Sequence, residues 1–201
     1  MKIIWHGHAC FEVQSADGTI VFDPYSKGYF KGISLPELTA DAVICSHGHG
    51  DHNAACDVTL TGNEYTAQLT QFSTFHDEKL GALRGSNLCT IVETEGRRIC
   101  HMGDIGHQLE NPQEFGKIDI LMLPVGGKYT VDAAGAKAIA EALRPQIIIP
   151  MHYKCGDKGL TDVRPVDDFL ALYPQSEITM LDSNSFDTES KCSKVLVFRL
   201  P

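Results

Sequence analysis

No stretch of this 201-residue chain approaches the ~20 consecutive apolar residues that a bilayer-spanning helix needs. The start, Met1-Lys2-Ile3-Ile4-Trp5-His6, passes straight into a strand-like pattern. It lacks the charged head, long apolar run and small-residue cleavage site of a secretory leader. Cysteine occurs seven times (Cys10, Cys45, Cys56, Cys89, Cys100, Cys155, Cys192), an odd number and never as CxxC. That spacing argues against a disulfide framework or structural zinc knuckle and predicts reduced, mostly buried thiols in a cytoplasmic protein. Basic runs, acidic tails, repeats and low-complexity segments are also missing. Positive charge is in deficit, with 17 basic against 26 acidic side chains and a formal net charge of −9. A nucleic-acid backbone would be repelled over most of such a surface, so neither nucleic acid nor membrane is an expected partner. A small anionic substrate remains compatible, because bound cations invert the local field in one cleft.

What is present suits one globular domain over residues 1–201: 43% of residues are apolar and 21% charged. The sequence leaves oligomerisation open. The first half reads as short strands at residues 1–5, 9–14 and 19–22, with Ala16-Asp17-Gly18 as a tight turn in a β-meander. A Gly-, Pro- and aromatic-rich segment runs from Asp23-Pro24 to Pro36, then strands follow at 42–45, 71–75, 89–93 and 98–102. The second half predicts strands at 118–123, 146–149, 178–181 and 194–198. It also predicts helices over 131–143 and 166–172, the first with Ala134, Ala138, Ile139, Ala142 and Leu143 on one face and Pro145 as its stop. Strands first, then strands alternating with helices, predict an α/β fold of two packed sheets with helices outside, a four-layer αββα sandwich.

The strongest chemical signal is His47-Gly48-His49-Gly50-Asp51-His52. In an extended segment residues two apart point the same way, so His47 and His49 can share a metal. A turn into helix there would send Asp51 and His52 toward a second metal, with the two glycines allowing close approach. Imidazoles with a carboxylate suit Zn²⁺.

This segment resembles the HxHxDH signature of the metallo-β-lactamase superfamily, and later pieces follow in that family's order over nearly the whole chain. His76 in Ser73-Thr74-Phe75-His76, Asp104 in His101-Met102-Gly103-Asp104 and His152 in Ile149-Pro150-Met151-His152-Tyr153 each follow a predicted strand. The resemblance implies that His47, His49 and His76 hold one zinc, that Asp51, His52 and His152 hold another, and that Asp104 bridges them. Manganese or iron are alternatives to zinc. Oxidoreductases of this fold carry an acidic residue where His49 stands, so His49 favours zinc and hydrolysis. A finer similarity is to the small branch holding metal-dependent hydrolases and the bacterial ascorbate-6-phosphate lactonase. It rests on Gly7-His8-Ala9-Cys10-Phe11, Leu123-Pro124-Val125-Gly126-Gly127-Lys128-Tyr129-Thr130 and Pro150-Met151-His152-Tyr153. It implies that His8 lies close to the metals as an outer partner that orients a ligand ring, and Tyr129 reads as a pocket wall. His6, His101, His107 and Cys155 read as structural residues.

The expected chemistry is hydrolysis of a small, anionic ester- or lactone-type metabolite. Two zinc ions would lower the pKa of a shared water to about 7, Asp51 would orient that water or take its proton, and Tyr129 would assist the leaving group. A phosphodiesterase for nucleotide or lipid-like diesters, or a zinc-binding protein without turnover, are the alternatives left open.

Overall fold

The computed structural model describes all 201 residues. The predicted meander forms: β1 (Lys2–Gly7), β2 (Cys10–Ser15) and β3 (Gly18–Phe22) pair antiparallel, and the turn sets Ser15 opposite Gly18. Alongside β3 lies β5 (Ala42–Ile44), parallel to it, and along β1 lies β13 (Ser185–Asp187), antiparallel. The order in this first sheet is β13-β1-β2-β3-β5.

The second sheet contains β7 (Gln68–Phe75), β8 (Ser86–Thr94), β9 (Arg97–His101), β10 (Ile120–Pro124), β11 (Ile147–Met151), β12 (Ile178–Met180) and β14 (Val195–Val197), in the order β12-β14-β11-β10-β9-β8-β7. Its centre is parallel, and every residue of β10 and β11 is buried, as expected of strands covered on both faces.

Period-two alternation sorts side chains between two cores. Ile20 and Phe22 of β3 join the main core with Phe11, Val13, Ile91 and Ile99, whereas Val21 points outward to Tyr25, Phe30, Leu35 and Val58. Helices α1 (Ala133–Leu143) and α2 (Asp167–Leu170) pack together, α1 also meeting β10 on the second sheet. Over the first sheet, the outer layer is built from the loop between β3 and β5 and a ribbon of β4 (Leu38–Ala40) with β6 (Val58–Leu60). The four-layer order holds, with ribbon and loop standing where a second helical layer was expected. No helix is long and apolar enough to cross a membrane.

Three local expectations are corrected. First, α1 begins at Ala133, capped by the Asp132 side chain accepting the Gly135 N–H at 2.8 Å. Its buried stripe is Ala136, Ile139, Ala140 and Leu143, while Ala134, Ala138 and Ala142 are exposed. Alanine carries little information about a helix face, and the branched residues Ile139 and Leu143 fix it. Second, no helix follows the His-rich motif directly: residues 46–52 form bends and a turn, and a single 3₁₀ turn comes at Ala55–Asp57. Third, a Cβ on Gly48 would meet nothing within 4 Å, so close backbone approach is not why that glycine is there; at Gly50 it would touch the Tyr29 ring.

Candidate metal centre

Each chemistry-bearing loop leaves the carboxyl end of a strand. Strands β1, β3 and β5 run in one direction within the first sheet, and they lead into His8, Asp23 and the His47–His52 segment. Strands β7, β9, β10 and β11 share a direction in the second sheet and lead into His76, Asp104, Tyr129 and His152. A sandwich of this topology therefore gathers at one edge residues that are 144 positions apart in sequence, from His8 to His152.

The side chains converge into two groups whose donor atoms lie within 4.8 Å of one another: His47, His49 and His76 in one, His8, Asp51, His52 and His152 in the other. Asp104 stands between them. Its Oδ2 is 3.3 Å from His76 Nε2, 3.2 Å from His52 Nε2 and 3.1 Å from His152 Nε2, and it forms a further group with His47 and His52. All seven residues named by the motif are thus brought together. His8 is brought in with them: its Nε2 is 3.3 Å from Asp51 Oδ2 and 3.2 Å from His52 Nε2, among the atoms that face the centre.

A buried carboxylate, Asp23, backs one of these imidazoles, and the sequence reading missed it. His52 Nδ1 lies 2.8 Å from Asp23 Oδ2, which in the neutral ring places the proton on Nδ1 and leaves the Nε2 lone pair toward Asp104. Asp23 also accepts the Ser46 N–H at 2.6 Å and the Ser46 hydroxyl at 2.7 Å, and Ser46 Oγ is 2.9 Å from His47 Nδ1. One buried carboxylate therefore sets the orientation of two imidazoles.

Asp104 is aimed by its neighbours. Asn87 accepts the Asp104 N–H at 2.7 Å and donates to the Met102 carbonyl at 2.9 Å. His101 donates from Nε2 to the Ala9 carbonyl at 2.9 Å, which frees Nδ1 to accept the Gly103 N–H at 3.2 Å. Gly103 itself has φ 55°, and a Cβ there would lie 2.3 Å from Asn87 Oδ1. His101 is thus the structural residue expected. So is His107, whose two ring nitrogens meet the Phe75 N–H and the Gln108 carbonyl, and so is His6, paired with Glu12 at 3.0 Å. The Cys155 thiol donates to the Tyr153 carbonyl.

Electrostatics favour a cation here. Burial and the nearby His152 push the His8 imidazole down to about 3, and burial with the neighbouring His52 pushes His47 down to about 4, so both rings keep their lone pairs. Burial opposes the charge on Asp104, yet the His152 and His52 imidazoles hold its carboxyl well below the usual range. Burial likewise opposes His52 protonation, yet Asp104 and Asp23 raise it well above its ordinary value. A field that strongly favours a proton at His52 also favours a metal ion.

His47 Nε2 and Asp104 Oδ1 are buried with no hydrogen-bond partner in the protein. Unsatisfied buried polar atoms are costly, and two of them among the converging donors fit a metal centre. The donor set, imidazole and carboxylate without thiolate, suits zinc, with manganese or iron also compatible.

The centre floors a cleft of about 410 Å³ walled by Tyr29, Asp51, Arg84, Tyr129 and Leu160. Tyr129 lines it as expected of a wall. Its hydroxyl donates to Asp162 Oδ2 at 2.7 Å, which commits the phenol proton to that carboxylate and leaves the ring as its contribution to the cleft. Tyr29, Arg84 and Leu160 are the wall residues that the sequence reading did not single out.

Residues 2–152 match the family model described as a β-lactamase superfamily domain. A UPF0173 metal-dependent hydrolase of Thermoplasma volcanium is 28% identical over 196 residues, spanning 78% of this chain and 85% of its own length. A similarly named protein of Enterococcus faecalis is 30% identical over 194 residues, spanning 76% and 86%. Among solved structures, a Thermotoga maritima protein assigned to the Zn-dependent hydrolases of the metallo-β-lactamase superfamily superposes with a TM-score of 0.78. It is 36% identical, covering 100% of this chain and 99% of that one. A Parabacteroides distasonis structure, 17% identical with a TM-score of 0.68, shares the fold over 99% of this chain and 93% of its own.

Proposed function

Starting from the β-lactamase superfamily, to which this chain belongs, we propose that it is a dinuclear zinc hydrolase acting on a small, anionic ester- or lactone-type substrate. The observation that carries the reading is the convergence of His47, His49 and His76 on one side and His8, Asp51, His52 and His152 on the other, with Asp104 Oδ2 3.1–3.3 Å from three of these imidazoles. The first trio would hold one ion and the second group the other, with Asp104 shared. In this reading His8 is a ligand in its own right, and Asp23 takes the orienting role.

Two divalent ions at such a centre supply Lewis acidity and acidify water at neutral pH. The chain's own residues do the rest. Asp51 faces the cleft and stays ionised, because the His8 and His52 imidazoles offset the burial that opposes its charge. Its free carboxylate oxygen orients the attacking water and accepts its proton. Tyr29, Tyr129 and Leu160 bound the substrate laterally and exclude solvent. Localisation in the cytoplasm fits the free thiols, seven in all.

Elemental analysis of protein purified after growth with zinc should give close to two zinc ions per chain. Asp104→Ala should lower that content and abolish turnover on whichever member of a lactone, ester, thioester and phosphodiester panel the parent hydrolyses. Protein free of transition metal would overturn the reading, and turnover confined to the phosphodiesters would overturn its substrate class.

A further inference from the structure

We propose that Arg84 is the anion-recognising residue of this cleft, selecting substrates that carry a carboxylate or phosphate group away from the bond that is cut. The inference rests on the hydrolytic reading for the bond, and on independent observations for the anion.

Among the residues lining the cleft, Arg84 is the one lysine or arginine. In a chain with 26 acidic side chains, no carboxylate lies within ion-pair distance of its guanidinium. The group makes a single hydrogen bond, Nη2 donating to the Lys128 carbonyl at 3.2 Å. The remaining N–H donors of a half-buried, permanently charged fork have no acceptor in the protein. The neighbouring cation behaves differently: Lys128 is ion-paired with Asp162, so its charge is already answered.

Arg84 is also held in place. The Asp77 carboxylate accepts four backbone N–H groups, from Lys79 (2.8 Å) and Gly81 (3.2 Å) on Oδ1 and from Leu83 (3.1 Å) and Arg84 (2.8 Å) on Oδ2. The loop from 77 to 84 is folded around that one side chain, and Gly85 ties back to the His76 N–H at 3.0 Å. The Arg84 backbone is thus fixed relative to His76 of the metal-facing trio. The guanidinium carbon lies 5.6 Å from the centroid of the Tyr129 ring, a cation–π contact that steadies the head group while leaving its N–H edge free. A planar fork with free parallel donors matches the two oxygens of a carboxylate or phosphate. Because Arg84 lines the same cleft but stands outside both donor groups, an anion held on its fork is a substrate group other than the one at the metal-facing donors.

The test compares zinc-loaded parent, Arg84→Gln and Arg84→Lys by titration calorimetry with three probes of like size: phenylacetate, benzylphosphonate and benzyl alcohol. The parent should bind at least one of the two anions. Arg84→Gln should weaken that anion about 10–100-fold relative to the alcohol, with Arg84→Lys between the two. Whichever anion loses affinity identifies the group recognised. Equal affinity of parent and Arg84→Gln for both anions would overturn the proposal, since anions would then be held by the metals alone. So would failure of the parent to bind either. Anion binding that depends on Arg84 in a protein that hydrolyses no member of the substrate panel would leave this site standing and remove the hydrolytic reading, so the two failures are distinguishable.

Discussion

Asp23→Asn is the substitution that separates orientation of a ligand from simple packing. Asp23 has φ 46°, a left-handed backbone conformation that asparagine tolerates nearly as well as aspartate, so the exchange adds little backbone strain. The parent carboxylate is 1% exposed and receives the Ser46 N–H, the Ser46 hydroxyl and the His52 Nδ1–H. Asparagine keeps one of the two acceptor oxygens. Whichever way its amide turns, either the Ser46 N–H or the His52 Nδ1–H faces an NH₂ group. One orphaned buried donor costs about 1–3 kcal/mol, which for a chain of this size lowers Tm by roughly 2–12 °C. The effect on metal is separate. Without its acceptor, His52 gains by moving its proton to Nε2, and the lone pair turns away from Asp104. Loss of such an outer partner weakens metal binding by about 10–100-fold. Chelator-competition titration with zinc reads that term, and thermal unfolding of the metal-free protein reads the first. A variant whose metal-free Tm falls while its zinc affinity stays within twofold of the parent would refute the orienting role and leave Asp23 as a packing residue.

Further outcomes follow from the same geometry. His8→Ala and His49→Ala should each reduce zinc to about one ion per chain, because each removes a donor from one of the two groups; two retained ions with slower turnover in His8→Ala would return His8 to an outer role. Gly126→Ala should destabilise the fold by about 1–3 kcal/mol in urea titration, since its Cβ would lie 2.1 Å from the His152 carbonyl oxygen, whereas Gly48→Ala should stay within about 0.5 kcal/mol of the parent. Asp119 is 4% exposed and accepts the Arg98 N–H at 2.9 Å and the Gln146 amide at 2.9 Å, so Asp119→Ala should cost about 1–3 kcal/mol at neutral pH. Burial opposes its charge, but Lys117 and the Arg98 N–H hold its pKa below the ordinary carboxylate value; its stabilisation is therefore full above the unfolded pKa and lost as pH falls through the folded one, and the gap between parent and variant in urea should narrow in acid.

Much of the fold was legible because strands with strong alternation or strong apolarity announce themselves. The meander and the strands β7 to β11 were found by composition and turn chemistry. The strands missed, β4, β6 and β13, have three residues each and are broken by the polar residues Thr39, Thr59, Ser185 and Asp187, whereas the equally short β5 and β14 are apolar throughout and were found. Strand β13 is placed by β1 through Ile3 and Phe186, a contact between the two ends of the chain that no local window contains. The outer layer over the first sheet was missed for a related reason. Its apolar residues, Tyr25, Phe30, Ile33 and Leu35, are spread along a Gly- and Pro-containing loop with neither helical nor strand spacing, and only tertiary packing shows that they cover a sheet.

The centre divides along the same line. The residues that converge were readable because His47, His49, Asp51 and His52 crowd into six positions and His76, Asp104 and His152 each follow a strand. What positions them was not readable, because it depends on backbone conformation and on partners far away in sequence. His8, Asp23 and His152 all have positive φ, at 53°, 46° and 53°. Each follows a strand and turns abruptly, which directs a side chain inward that an extended backbone would carry past the edge. Left-handed backbone costs roughly 1–2 kcal/mol per non-glycine residue, so the three together cost about 3–6 kcal/mol, a large share of the ~5–15 kcal/mol that stabilises a typical domain. The surroundings offset it in a visible way. The His8 carbonyl accepts both the Trp5 indole N–H at 3.0 Å and the His152 N–H at 3.2 Å, so two of the strained residues brace each other across the two sheets. Asp23 offsets its own strain with its three hydrogen bonds to Ser46 and His52. Histidine and aspartate are among the side chains that bear this conformation best. The residue types that suit metal chemistry are therefore also those that the sharp strand-end turns can accommodate, and three of the strained positions lie at the centre.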